Sequence, residues 1–196
     1  MLIAFTGGAR SGKSTAALRA ATSAGAPVTF IATAEAGDDE MAARIERHRA
    51  DRPAAWTTIE APIHLALAVE QVDAEATIVI DCLSMWVSNR MLAGGAAAEA
   101  EDGSGLSLGE LHDVDCARSL VAEAGALGER LRERSGTAVV VTNEVGSGIV
   151  PATSLGRAYR DVLGSVNQAI FASADLAYLV VAGRLLELQD PSDGSR

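Results

Sequence analysis

Residues 2–14 read LIAFTGGARSGKS. Leu2–Thr6 is a short apolar run of the kind that forms a strand buried on both faces. It runs into G-x-x-x-x-G-K-[ST], Gly7 to Ser14, and the stretch after it, Thr15 to Ala21, forms helix readily. Each part of this strand–loop–helix unit has a physical task. Gly7, Gly8 and Gly12 permit backbone angles and close approach that a Cβ would block, so successive N–H groups can point at phosphate oxygens. The helix starting near Lys13 adds the positive end of its dipole. Lys13 supplies a mobile cation for the outer phosphates and Ser14 a hydroxyl for Mg²⁺. Arg10, inside the loop, either adds a phosphate contact or is a solvated loop residue. The unit predicts a bound nucleoside triphosphate.

Outward from this loop, short apolar runs alternate with longer Ala/Arg/Glu-rich stretches. Strands are predicted at Leu2–Thr6, Val28–Ala32, Thr57–Glu60, Thr77–Asp81, Ala138–Thr142 and Leu176–Val181. Helices are predicted at Lys13–Ser23, Asp38–Ala50, Ile63–Val69, Asp113–Arg134 and Leu155–Ala174. This alternation argues for an α/β fold, a mostly parallel sheet with helices on both faces. Leu176–Val181 and Leu185–Leu188, separated by Ala182-Gly183-Arg184, read as an antiparallel hairpin at the sheet edge. The chain is expected to be a single nucleotide-binding domain over residues 1–189. Residues 93–109 (AGGAAAEAEDGSGLSLG) read as a mobile surface insertion, and 190–196 as a frayed tail.

The 196 residues suit one compact domain. Hydrophobic residues are 48% of the chain but aromatics only 4%, so the core is aliphatic. The net charge of −10, from 26 acidic against 16 basic residues, argues against a broad nucleic-acid footprint. Cys82 and Cys116 lack metal-ligand spacing and read as free thiols of a reducing compartment. Met1 leads directly into the first strand without a basic segment, which reads as no signal peptide. No apolar run approaches the ~20 residues of a membrane span. A soluble, cytoplasmic protein is expected.

A second element of the nucleotide site is predicted at Thr77-Ile-Val-Ile-Asp81, an apolar strand ending in a carboxylate. Asp81 would hold Mg²⁺ through its water shell or orient the nucleophile; the alternative is a plain helix cap. A third is the helix in GDDEMAARIERHRADRP, residues 37–53, where Met41, Arg44, Ile45 and His48 share one face. Arg44, Arg47, Arg49 and Arg52 surround His48 with positive charge, a setting that suits an anion and favours a neutral, nucleophilic imidazole. Such a histidine beside phosphates could attack an α-phosphorus and form a phosphoramidate. His64 and His112 lack this setting and read as surface or capping residues. In-line attack needs the ring within ~3–3.5 Å of phosphorus, and a ligand-free chain is expected to hold His48 well away from Lys13.

The stretches GGARSGKS (7–14), IATAEAGDDEMAARIERHRADRP (31–53), WTTIEAP (56–62), VIDCLSMWVSN (79–89) and VVVTNEVGSGIVPATSLGRAYRDVLGSVNQAIFASAD (139–175) resemble, in order, the bifunctional adenosylcobinamide kinase / adenosylcobinamide-phosphate guanylyltransferases of cobalamin biosynthesis. The resemblance covers most of the chain and implies a P-loop NTPase, RecA-like sheet, assembled as a homotrimer. It implies two reactions: ATP or GTP phosphorylates the aminopropanol hydroxyl of adenosylcobinamide, then GTP guanylylates a histidine and GMP passes to adenosylcobinamide phosphate. The guanylylated residue maps onto His48 in H-R-A-D-R-P, with Lys13 as the other catalytic residue. Nucleotide contacts map onto Gly7, Gly8, Ala9, Arg10, Ser11, Gly12, Lys13 and Ser14 of the loop. Further contacts map onto Thr33, Ala34 and Glu35, onto Arg49, Ala50, Asp51 and Arg52, and onto Glu60 and Asp81. Ser14 and Asp81 are the implied Mg²⁺ ligands. Asp81 stands where relatives often carry Glu, one methylene shorter with the same charge, and the 93–109 insertion is longer than usual.

Thr142-Asn143-Glu144 falls at the carboxyl end of a predicted strand, where α/β sheets place ligands. Asn143 and Glu144 would position the cobinamide or the metal, and Arg157 and Arg160 would serve phosphate or subunit contacts; a purely structural strand-to-loop transition is the alternative. Two other readings of the whole chain compete, a simple P-loop small-molecule kinase with a structural His48, and a nucleotide-dependent switch acting on a protein partner. A covalent nucleotide on His48 discriminates among all three.

Overall fold

A computed structural model describes residues 1–25, 27–50, 52–102 and 114–190. Asp51, His112, residues 103–109 of the insertion and the tail from 191 lie outside the described residues. The seven strands are β1 (Leu2–Thr6), β2 (Val28–Ala32), β3 (Thr57–Glu60), β4 (Thr77–Asp81), β5 (Ala138–Val141), β6 (Leu176–Val181) and β7 (Arg184–Glu187). They form one sheet in the order β3-β2-β4-β5-β1-β6-β7, parallel throughout except for the antiparallel β6–β7 edge. The expected α/β architecture and its hairpin are therefore present. β1, which feeds the phosphate loop, and β4, which ends in Asp81, are separated by β5 alone.

The helices are α1 (Lys13–Ser23), α2 (Asp39–Ala50), α3 (Leu65–Glu70), α4 (Leu83–Asp102), α5 (Val114–Glu133) and α6 (Ser154–Phe171). Strand side chains alternate between two cores, as the pleat requires. Leu2, Ile78, Ile80 and Val140 point into the larger core, packed with Trp86, Leu120, Leu131, Leu163 and Ile170 from the helices. Ile3, Phe5, Val79, Val139 and Val141 point the other way, onto Ala17 and Ala21 of α1. Small residues on α1 let it lie close to the sheet, so its first turn is held at the carboxyl ends of the strands.

α4 has no counterpart among the expected helices. Leu83, Trp86, Val87 and Met91 are its buried stripe, at i, i+3, i+4 and i+8. Trp86 is fully buried and its Nε1–H donates to the Ile63 carbonyl at 2.9 Å. The helix continues to Asp102, so the stretch expected as an insertion is helical over its first ten residues. Ala96, Ala97, Ala98 and Ala100 supply helix propensity there that outweighs the glycine pair before them.

Candidate active site

The phosphate loop is shaped by its glycines and by the β6–β7 hairpin beneath it. Gly12 has φ +99° and Arg10, without glycine's freedom, φ +56°. A Cβ at Gly7 would lie 2.4 Å from the Val180 carbonyl oxygen, so β6 passes too close for any side chain. Gly183, in the hairpin turn, donates its N–H to the Ser11 carbonyl at 2.8 Å. From the other flank, the Glu144 N–H donates to the Gly7 carbonyl at 3.1 Å. Gly12 caps α1 without a side-chain acceptor, leaving the first-turn amides for an anion. Gly7→Ala is expected to cost about 1–3 kcal/mol by overpacking against Val180. The checks are a lower urea midpoint and weaker triphosphate binding.

The loop opens on a cavity of about 760 Å³. Arg10, Ser11, Gly12, Lys13, Ser14 and Thr15 form one wall and Asp81 another, with Leu18 and Phe30 as apolar lining. Across from them stand Glu40, Arg47 and His48 of α2, at i, i+7 and i+8 on one helix face. Lys13 is only 8% exposed, and its Nζ donates to the Gly8 carbonyl at 3.0 Å. His48 and Lys13 line one cavity from different walls. Ser14 and Asp81 also share it, and a hydroxyl plus a carboxylate are oxygen donors of the kind Mg²⁺ takes.

The remaining expected contacts lie around this cavity. Among the described residues, Gly7, Gly8 and Ala9 stand outside its lining, as do Thr33, Ala34 and Glu35. Thr33 is fully buried and clamps the end of β4: its Oγ1 donates to the Cys82 carbonyl at 2.7 Å and accepts from the Cys82 N–H at 2.8 Å. Arg49 pairs with Glu60 at 2.9 Å and with Glu46 at 3.4 Å, tying the last turn of α2 to β3. Ala50 is exposed at the end of α2. Arg52 lays its guanidinium 3.6 Å from the centre of the Phe30 ring, whose residue also lines the cavity. Burial holds Arg52 below its ordinary value, against the opposing pull of Asp81, yet a guanidinium stays charged.

None of the described side chains of α2 is buried. The helix is capped at its start by Asp38, whose Oδ1 accepts from the Met41 N–H at 2.7 Å. Its attachment to the body thus leans on the Arg49–Glu60 pair and, just past its end, on the Arg52–Phe30 stack.

Behind Asp81 lies a polar network that sequence reasoning missed in part. The Asn143 amide donates to Ser84 Oγ at 2.9 Å, Tyr159 donates to the Ser84 carbonyl at 3.1 Å, and Cys82 Sγ lies 2.9 Å from the same Ser84 Oγ. Thr142 donates to Asn167 Oδ1 at 2.7 Å, and the Asn167 amide to the Asn143 carbonyl at 3.0 Å. The network locks the ends of β4 and β5 to α4 and α6. Burial pushes the Tyr159 phenol up to about 12, with Cys82 adding to the effect, and burial and then Asp81 push the Cys82 thiol up. Both are neutral hydrogen-bonding groups here. Glu144 Oε1 accepts from the N–H groups of Gly146, at 2.5 Å, and Ser147, at 3.0 Å, and so shapes its own loop. Arg157 donates to the Pro151 and Ala152 carbonyls, and Arg160 to Asp161. His64 occupies the N-cap of α3 without a side-chain bond. Ser84, Tyr159 and Asn167 gave no motif; only their helical spacing toward the sheet could have marked them.

One cavity thus holds a phosphate loop, a strand-end carboxylate and an arginine-flanked histidine. The family described as cobinamide kinase / cobinamide phosphate guanyltransferase matches residues 3–188. The bifunctional adenosylcobalamin biosynthesis protein CobP of Pseudomonas aeruginosa is 39% identical over 184 residues, 93% of this chain and 94% of that protein. The proteins named CobU of Salmonella typhimurium and Escherichia coli are 39% and 37% identical, each over 93% of this chain and 97% of their own. A match that spans nearly the whole chain, on a site with these parts, shows that the chain belongs to the cobinamide kinase / cobinamide phosphate guanyltransferase family.

Proposed function

We propose that this one cavity serves both reactions, on adenosylcobinamide and then on its phosphate, with His48 carrying GMP between them. Membership of the family carries cobinamide kinase and cobinamide phosphate guanylyltransferase activity in adenosylcobalamin biosynthesis. The observation that supports a shared site is that Lys13, Ser14, Asp81 and His48 line the same cavity. In the kinase step the acceptor alcohol attacks the γ-phosphorus of ATP or GTP. The bond to the β–γ bridging oxygen breaks, ADP or GDP leaves and the alcohol's proton passes to solvent, while Lys13 and the loop amides take up charge on the outer phosphates. In the second step a neutral His48 nitrogen attacks the α-phosphorus of GTP. An N–P bond forms, the bond to the bridging oxygen breaks, and pyrophosphate leaves. A phosphate oxygen of adenosylcobinamide phosphate then attacks the same phosphorus and releases the imidazole, giving adenosylcobinamide-GDP. Arg47 and Arg10, on opposite walls, are placed to offset the charge that builds on the α-phosphate. Ser14 and Asp81 would hold Mg²⁺, which supplies charge neutralisation at the phosphates.

The chain is further read as a cytoplasmic homotrimer. The resemblance supports this, and the apolar β6–β7 edge, where Val181, Leu185 and Leu186 are each more than half exposed, supports the assembly. Among the described residues no helix is long and apolar enough to cross a membrane. The test of the catalytic reading is incubation with GTP labelled at the α-phosphate, followed by denaturation. Expected is acid-labile, base-stable label on the protein that chases into product when cobinamide phosphate is added. A chain that transfers only γ-phosphate and never takes label would leave a plain kinase. Light scattering of the same preparation checks for a mass of three chains.

A further inference from the structure

Asp81 lines the cavity from the last position of β4, and a buried residue holds that position from the β2 side. β2 runs parallel to β4 with Ala32 opposite Asp81. Thr33, the next residue, therefore leaves the ladder beside the Asp81–Cys82 peptide and grips it three times. Its N–H donates to the Asp81 carbonyl at 3.4 Å, and its Oγ1 donates to the Cys82 carbonyl at 2.7 Å. The same oxygen accepts from the Cys82 N–H at 2.8 Å. The Thr33 carbonyl is held in turn: it accepts from the Asn89 amide at 2.8 Å, and that amide, on α4, also reaches the Pro62 carbonyl at 3.2 Å. A chain of bonds thus runs from α4 through Thr33 to the backbone of Asp81.

Thr33 has no exposed surface, and among the described residues it stands outside the cavity lining. Its N–H, its carbonyl and its hydroxyl each have a protein partner, so the hydroxyl reaches a nucleotide only by leaving Cys82. The other flank of β4 does not duplicate the hold. Val141 of β5 lies opposite Asp81, and Thr142 after it spends its hydroxyl on Asn167 Oδ1. Where the Asp81 carboxylate stands over the phosphate loop depends on the backbone it leaves from, and Thr33 fixes that backbone.

We infer that Thr33 is a positioning residue, acting on the reacting phosphates through Asp81 in place of the direct nucleotide contact that the resemblance implies. Asn89 holds Thr33 in register. This rests on the reading above in which Asp81 works at the phosphates. Thr33→Val keeps the shape of the side chain and removes the hydroxyl. The Cys82 N–H then loses its acceptor, while the Cys82 carbonyl keeps the Trp86 N–H at 3.3 Å, so the strand end loosens and α4 stays attached. Thr33→Ser keeps the hydroxyl.

The measurement is steady-state kinetics of both steps on the full chain, with GTP as the triphosphate throughout. It compares these two variants, Asp81→Asn and the Thr33→Val/Asp81→Asn pair. Expected for Thr33→Val is a fall in kcat of about tenfold to a hundredfold in both steps, the scale of a misplaced group, with KM for GTP within about twofold of wild type. Thr33→Ser recovers kcat to within about threefold, because the bonds to Cys82 return. In the Asp81→Asn background Thr33→Val lowers the rate less than about twofold further, since the two residues act as one unit.

A loss confined to KM for GTP overturns the inference and makes Thr33 a nucleotide contact. Full additivity with Asp81→Asn overturns it, as does a Thr33→Ser chain as slow as Thr33→Val. If Thr33→Val does not fold, Asn89→Ala takes its place, because it frees the Thr33 carbonyl from outside the cavity lining. Expected is the same loss of kcat at constant KM, absent from the Asp81→Asn background; a wild-type kcat there overturns the inference. Asp81→Asn with wild-type kinetics overturns the reading of Asp81 together with this inference. A slow Asp81→Asn beside an indifferent Thr33→Val overturns the inference alone.

Discussion

His48→Ala is expected to take up no nucleotide from α-labelled GTP, and to lose at least about a thousandfold in guanylyl transfer, because the group that bonds to phosphorus is gone. Cobinamide phosphorylation should continue within about threefold of wild type, since the proposed mechanism assigns γ-phosphate transfer to the loop, Lys13 and Asp81. The separation is a geometric claim. Glu40, Arg47 and His48 occupy one wall of the cavity and the phosphate loop another, so the imidazole can be trimmed without touching the second wall. Folding is expected to be unaffected, because none of the described α2 side chains is buried and His48 anchors no core. Label retained on His48→Ala would move the nucleophile elsewhere. Equal loss of both activities would mean that His48 shapes the nucleotide site and is not the acceptor of GMP.

α2 itself explains why such a residue can serve one step and stand aside in the other. A helix none of whose described side chains is buried is drawn from the low-stability end of the fold, and its described ties to the body are polar. The Arg49–Glu60 pair, with both side chains at least half exposed, contributes little by itself. The Arg52–Phe30 stack adds a contact of the cation–π kind. If His48 carries GMP as proposed, it has to meet first a triphosphate and then an acceptor phosphate, and a lightly fastened helix permits small adjustments between the two.

How far the chain could be read from its residues differs by element. Strands showed themselves through period and composition, because a parallel strand buried on both faces must be a continuous apolar run; Ile78-Val79-Ile80 has no other use. The loop was legible for a related reason, since few arrangements other than phosphate binding need Gly7, Gly12, Lys13 and Ser14 at that spacing after a strand. α4 was passed over although Leu83, Trp86, Val87 and Met91 carry its stripe, because the Gly/Ala-rich continuation hid the helical period. Thr33 and Glu144 show the other limit. Both follow the carboxyl ends of strands, where α/β sheets place ligands, yet their polar atoms are used on Cys82 and on the Gly146–Ser147 turn. Those uses depend on which segments meet in space, and no local pattern records that. Glu40 and Phe30 enter the cavity for the same reason, through the packing of α2 and β2 and not through any motif.

Lys13→Ala is expected to lower both reactions together, by roughly a hundredfold to a thousandfold in kcat/KM, the range seen when a preorganised charge on developing phosphate charge is removed. In the ligand-free chain its ammonium is parked on the Gly8 carbonyl, with the side chain 8% exposed. The cation is therefore held inside the loop at the place the outer phosphates must occupy. A bound triphosphate offers it charged oxygens in place of the Gly8 carbonyl, and an ammonium pairs more strongly with an anionic oxygen than with a neutral one. Alanine at the first residue of α1 keeps the helix and forfeits side-chain bonds such as that to the Gly8 carbonyl, each of about 1 kcal/mol, so thermal unfolding should move less than activity does. Lys13→Arg should not restore the rate, because the planar fork cannot fold back within a loop whose Gly7 and Gly12 already touch the backbone of the β6–β7 hairpin. Steady-state kinetics of both steps beside a melting curve make the check. A Lys13→Ala chain that lost one reaction and kept the other would show that the two transfers do not share this cavity.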